Sequence, residues 1–171
     1  MSSPEIPSFR YHPDPVGTGS IVPSGDECDA CGDRRGLLYT GPVYSVEELE
    51  GICPWCIADG RAATQFEASF TDVEPVPTGV PSAVIDEILH RTPGFAGWQQ
   101  EQWLFHCGDG AEFVGRVGFA ELRHHPDALQ MLASDGNPPE LIEALAVDGD
   151  ATGYLFRCRS CGQHLAYADY L

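Results

Sequence analysis

Cys28-Asp29-Ala30-Cys31 and Cys53-Pro54-Trp55-Cys56 are two C-x-x-C pairs separated by the 21 residues from Gly32 to Ile52. That is the ligand pattern of a four-thiolate zinc site. Two intervening residues let both thiolates of a pair reach one metal with Zn–S bonds of about 2.3 Å, and two such pairs complete a tetrahedron. The gap slightly exceeds the usual span of roughly 15–20 residues. Gly32 follows the first pair and can take positive φ in a tight knuckle. Pro54 lies inside the second and is favoured at the first position of a helix.

From Trp55 to Phe66 the chain reads as one helix despite Gly60. The first pair is therefore expected on a hairpin knuckle and the second on the first turn of a helix, where the positive dipole end favours thiolates. That geometry resembles a treble-clef zinc finger. Two other readings compete. Disulfides need an oxidising compartment, and the opening Met1-Ser2-Ser3-Pro4-Glu5-Ile6 has no basic n-region or apolar h-region to direct the chain to one. A thioredoxin-like role for Cys53 and Cys56 would use a thiol pKa depressed by the helix start, but it has no need of Cys28 and Cys31. Zinc is the reading that uses both pairs.

Composition narrows the class. The 171 residues suffice for one domain or two small ones with a real core. No run of 18 apolar residues is present, so membrane insertion is not expected and a cytoplasmic location is. Twenty-six acidic residues against nine basic leave a formal charge of −17. Nucleic-acid binding draws most of its affinity from cations set against phosphates, so this charge argues against it and leaves an unidentified protein as the expected partner.

In order along the chain, Met1–Pro7 reads as a frayed end and residues 9–21 as an extended strap held out of the α region by Pro13 and Pro15. His12 and Asp14 within it are candidates for a ligand or an acid/base pair, with a structural turn as the plainer reading. Residues 36–40 and 42–44 read as short strands, and Ser45 and Glu48 match a capping box opening a short helix. Thr71–Pro81, with three prolines, marks the expected boundary between a zinc-binding module (1–75) and an α+β module (76–171). In the second module an amphipathic helix is expected from residue 82 to the Thr92-Pro93-Gly94 stop, with His90 near its end. A hairpin joining the aromatic stretch 95–106 to 113–117 and packed on that helix should follow, then His124-His125 at a turn and helices over 126–133 and 139–147.

Cys158-Arg159-Ser160-Cys161-Gly162 is a second knuckle with its own glycine, between strands at 154–157 and 164–170. Cys107 is the remaining cysteine. Together Cys107, Cys158 and Cys161 define a tentative second metal site, with His106, Asp109, His164 or a water for the fourth position. The alternative leaves Cys107 buried as a small hydrophobe and the last pair as a bare turn. The fold class expected is α+β: a treble-clef-like N-terminal module, then a helix/hairpin module closed by the C-terminal knuckle.

Tyr11-His12-Pro13-Asp14-Pro15 with Thr18-Gly19, Tyr39-Thr40-Gly41-Pro42-Val43-Tyr44, Cys53-Pro54-Trp55-Cys56-Ile57-Ala58-Asp59-Gly60, Arg91-Thr92-Pro93-Gly94-Phe95, Trp98-Gln99 and the closing Cys158-x-x-Cys161-Gly162 resemble, in order, the CbrC family of bacterial proteins. The resemblance spans almost the whole chain. It implies a role in stress or colicin tolerance and no particular molecular mechanism. The residues themselves favour a non-enzymatic, zinc-stabilised interaction protein with no catalytic residue to name. A metal-dependent hydrolase using an open site at Cys107, Cys158 and Cys161, with His106, Asp109 or His12 as proton carrier, is the alternative, and thiol redox or metal buffering is a third.

Overall fold

Short antiparallel pairing begins the fold. In the computed structural model, which describes residues 5–171, β1 (Ile21–Pro23) pairs antiparallel with β2 (Leu37–Tyr39), placing Ile21 opposite Tyr39. Tyr39 is bridged in turn to Ile52, its amide donating to the Ile52 carbonyl at 2.8 Å. This short ladder delivers the chain to Cys53. Helix α1 (Pro54–Ala58) starts there, with the Ile57 amide bonded to the Cys53 carbonyl. It stops at Gly60, whose φ of +79° breaks the single helix expected over 55–66 and restarts it as α2 (Arg61–Phe66). A left-handed residue cannot continue an α-helix, and glycine enters that region without Cβ cost. The capping box at Ser45 does not form a helix; its hydroxyl bonds the Glu47 carbonyl in an irregular segment.

The described chain divides into two units, one running up to Asp72 together with Ser82–Ala96, the other comprising Val73–Pro81 and Gly97–Leu171. The expected division at 75/76 differs from this because α3 (Ser82–His90) belongs with the N-terminal unit. The Phe70 amide bonds the Leu89 carbonyl there, and Tyr39 accepts the Gly94 amide on its hydroxyl. A Cβ on Gly94 would collide with the Phe70 carbonyl, so this approach requires glycine. The unit's core combines Phe9, Ile21, Leu38, Tyr39, Ile52, Ile57 and Phe70 with three cysteines, Cys28, Cys53 and Cys56. Met1–Pro4, the first part of the stretch read as a frayed end, lie outside the described residues.

His12 is completely buried in this unit. Its Nδ1–H donates to the Pro93 carbonyl at 2.8 Å, and its Nε2 accepts from the Thr18 hydroxyl at 2.7 Å. Asp14 accepts the Gly17 amide, closing a turn. Both side chains are thus engaged in bonds that shape the strap and its turn. Burial drives the His12 pKa down to about 4, against the opposing effects of the Pro93 carbonyl and the Asp14 charge. The folded chain keeps His12 neutral where the unfolded imidazole, near 6.5, binds a proton. Its contribution is complete above the unfolded value and is lost as pH falls from 6.5 toward 4, by roughly 3 kcal/mol in all. Denaturant titrations from pH 7 to pH 4 test this. His12→Asn, which keeps an N–H for Pro93, is expected to lose less stability over that interval than wild type.

The second unit is built on a three-stranded antiparallel sheet in the order β5 (Glu112–Val117), β6 (Ala151–Arg157), β7 (His164–Tyr170), with β3 (Phe105–His106) and β4 (Asp109–Gly110) forming a separate two-stranded pair. The expected hairpin between 95–106 and 113–117 is therefore replaced. Residues 95–104 are irregular, and β5 pairs with β6, reached across 33 intervening residues, with a register shift at Phe113/Gly115. Helices α4 (Phe119–Leu122), α5 (Pro126–Ser134) and α6 (Pro139–Ala144) lie along that connection. They contribute Leu122, Ala128, Leu132 and Ile142 to a core shared with Val117, Leu155 and Ala166. Pro126 and Pro139 sit in the first turns of α5 and α6, where a missing N–H costs nothing. Phe156, on the central strand, also meets Trp103 edge-on and packs beside Phe113. Among the described residues no helix is long and apolar enough to cross a membrane.

Candidate metal centres

The first centre is built from two kinds of turn. Between Cys28 and Cys31 the chain folds into a knuckle: the Gly32 amide reaches the Cys28 carbonyl at 2.8 Å with Gly32 at φ +75°, and the Cys28 amide reaches the Asp33 carbonyl at 3.0 Å. Cys53 and Cys56 come from the start of α1. Asp29 ties the two together by accepting the Glu50 and Gly51 amides at 2.6 and 3.0 Å. The four sulfurs lie within 4.8 Å of one another. Cys31 Sγ and Cys53 Sγ are 4.0 Å apart, far beyond a bonded pair and near the roughly 3.8 Å edge of a tetrahedron of 2.3 Å Zn–S bonds.

Three of these four residues are buried. Burial pushes the Cys53 and Cys56 thiols up. At Cys28 the same burial is outweighed by the amides of Cys53, Cys31 and Ala30, and its thiol falls. A sulfur with amide donors already aimed at it is prepared to be a thiolate, but four neighbouring thiolates need a cation among them. The donor set therefore fits a soft divalent metal.

The second centre uses a copy of the same knuckle. The Gly162 amide bonds the Cys158 carbonyl at 3.0 Å with Gly162 at φ +77°, and the Cys158 amide bonds the Gln163 carbonyl at 2.8 Å. Its other half is the β3–β4 hairpin, where His106 faces Asp109 across a two-residue turn. Both turn residues, Cys107 at φ +55° and Gly108 at φ +71°, are left-handed, as a hairpin turn of this twist demands. The turn brings His106 and Cys107, adjacent in sequence, onto one site. His106 Nδ1 is 3.3 Å from Cys107 Sγ and 3.5 Å from Cys161 Sγ, close to the roughly 3.6 Å expected between nitrogen and sulfur ligands of one zinc ion. His106, Cys107, Cys158 and Cys161 all offer donor atoms within 4.8 Å of one another. At Cys158 burial opposes ionisation, yet the Cys161 amide, His106 and the Ser160 amide outweigh it and lower the thiol to about 6; the neighbouring Cys158 and Cys161 sulfurs push Cys107 up to about 11. Cys107 is exposed, which removes the expectation of a small buried hydrophobe.

The other candidates lie apart from this cluster. Asp109 accepts its neighbour's amide at Gly110 and faces Arg159 at 3.4 Å. His164 packs against His125 with ring centroids 4.1 Å apart and the rings tilted by 39°, and its amide donates to Asp127 at 2.7 Å. His90 is paired with Asp86 at 2.9 Å, near the end of α3. Neither His124 nor His125 joins a metal-holding group among the described residues. His106 stood as one of four options in the sequence; the Gly108-Asp109-Gly110 turn beside it was the available signal.

Fold and sites together define a mixed helix-and-sheet protein with, among its described residues, two four-donor groups that could hold metal ions. The chain belongs to the Uncharacterised protein family (UPF0167), whose family model matches residues 6–170. It is 56% identical over 180 residues to UPF0167 proteins of Mycobacterium bovis and Mycobacterium tuberculosis, covering 99% of this chain and 96% of each relative. It is 42% identical to a UPF0167 protein of Pseudomonas aeruginosa over 170 residues, covering 94% of this chain and 95% of the relative. No solved structure matches it.

Proposed function

We propose that this chain is a non-enzymatic protein stabilised by two structural zinc ions, one held by Cys28, Cys31, Cys53 and Cys56 and one by His106, Cys107, Cys158 and Cys161. The observation that carries the reading is that each group supplies four protein donors, the full complement of a closed structural site. Thiolate-rich tetrahedral sets suit zinc among the available divalent metals. Knuckle first and helix second is the order of a treble-clef-like finger, and the N-terminal site is assigned to that class. The protein works in the cytoplasm through a protein partner, and a charge of −17 favours one with a basic surface. The CbrC resemblance adds a role in stress or colicin tolerance.

The hydrolase reading needed an open position at Cys107, Cys158 and Cys161. His106 Nδ1, 3.3 Å from Cys107 Sγ and 3.5 Å from Cys161 Sγ, offers a fourth protein donor and supports the closed reading instead. Cobalt substitution tests the choice, since tetrahedral thiolate-bound cobalt has intense visible bands that change when an exogenous ligand enters. With both sites filled by cobalt, added azide is expected to leave the spectrum unchanged. An azide-sensitive spectrum would mark an open coordination position and favour the enzyme.

A further inference from the structure

The two centres differ in how much of their sulfur solvent can reach. In the N-terminal group Cys28, Cys53 and Cys56 are buried, Cys31 is half-buried, and Cys28 Sγ is further covered by the Ala30 and Cys53 amides at 3.4 and 3.3 Å. In the C-terminal group only Cys158 is buried, while Cys107 and Cys161 are both exposed. These two exposed sulfurs flank the same His106 nitrogen, at 3.3 and 3.5 Å, and lie within 4.8 Å of each other. They come from separate elements, the β3–β4 turn and the knuckle between β6 and β7, so a bond between them would link hairpin to sheet.

We infer that Cys107 and Cys161 form an oxidation site for hydroperoxides, and that their oxidation releases the metal of the C-terminal centre while the N-terminal centre keeps its own. Susceptibility to oxidation follows thiolate character and exposure, and metal-bound thiolates that solvent can reach have both. The sulfur of one residue attacks the terminal oxygen of the hydroperoxide; the O–O bond breaks, a sulfenic acid forms, and the departing alkoxide or hydroxide takes a proton from solvent. The second thiolate then displaces hydroxide from that sulfur, which leaves as water after taking another proton. Two electrons pass from the sulfurs to the peroxide, one S–S bond is made, and two of four ligands are lost to the metal. The inference rests on the zinc occupancy proposed above. It places the redox chemistry in the C-terminal group, away from the buried Cys53 and Cys56.

The experiment uses the full chain with its zinc counted first, one equivalent of hydrogen peroxide, a chromogenic chelator to read released zinc, and alkylation with peptide mapping before and after unfolding. A starting content of two zinc ions supports the occupancy reading, and a lower content overturns that reading before peroxide is added. On two-zinc protein, the expected result is release of one ion together with a Cys107–Cys161 disulfide, with Cys28, Cys31, Cys53 and Cys56 still alkylated after unfolding. Retention of both ions, oxidation beginning in the N-terminal group, or a Cys158–Cys161 disulfide with Cys107 still free would each overturn the inference.

Discussion

Cys53→Ser is expected to remove one zinc ion and unfold the N-terminal unit while leaving the C-terminal sheet folded. Cys53 has no exposed surface, its amide donates to Cys28 Sγ at 3.3 Å, and its carbonyl accepts the first turn of α1. The residue therefore joins the four-donor group, the knuckle and the helix, and its sulfur sits inside the apolar cluster around Ile21, Ile52 and Ile57. A structural zinc ion in a small module contributes on the order of 10 kcal/mol of folding free energy, as much as the whole stability of many domains. Serine keeps the size but supplies a hard, weakly acidic oxygen in place of a thiolate. Calorimetry with metal analysis should show the N-terminal unit's share of the unfolding transition abolished and a single zinc retained. Native thermal stability with full zinc content in this variant would sink the account of the N-terminal site.

The second large effect is expected at His106→Ala. Removing an outer partner of a metal ligand typically lowers affinity about 10- to 100-fold, so loss of a ligand itself should cost more than about 100-fold at the C-terminal centre. Water would then occupy the fourth position, and the cobalt form should become sensitive to azide, while the N-terminal site keeps its metal. Asp109→Asn and His164→Ala serve as discriminating controls. Asp109 is engaged with Arg159, and His164 with His125 and Asp127, so both variants are expected to hold the second ion with wild-type affinity. Competition with a chelator of known affinity measures all three. Loss of the ion in His164→Ala with retention in His106→Ala would contradict the ligand assignment.

How legible these features were depends on the range of the interactions that set them. Both C-x-x-C-Gly knuckles could be read directly, because the spacing, the trailing glycine and the turn are local to a few residues. The start of α1 at Pro54 was local too. The fourth donor of the second group was not, since it depends on Cys107 adopting φ +55°, a conformation no cysteine advertises and that only the hairpin around it enforces. Strand pairing was misread for a related reason. Residues 95–106 carry aromatic content suited to a strand, yet β5 finds its partner in β6, beyond three helices, and no local signal encodes that choice. Helix α3 was legible as a helix, but its place with the N-terminal unit depends on contacts made by Phe70, Tyr39 and Gly94, which are distant in sequence.

Zinc-edge X-ray absorption on protein purified without added metal, combined with elemental analysis, tests the central claim most directly. Two zinc ions sharing seven sulfur ligands and one nitrogen, with Zn–S distances near 2.3 Å, is the result expected from the two donor groups. A single ion, or a first shell containing oxygen from water, would contradict it.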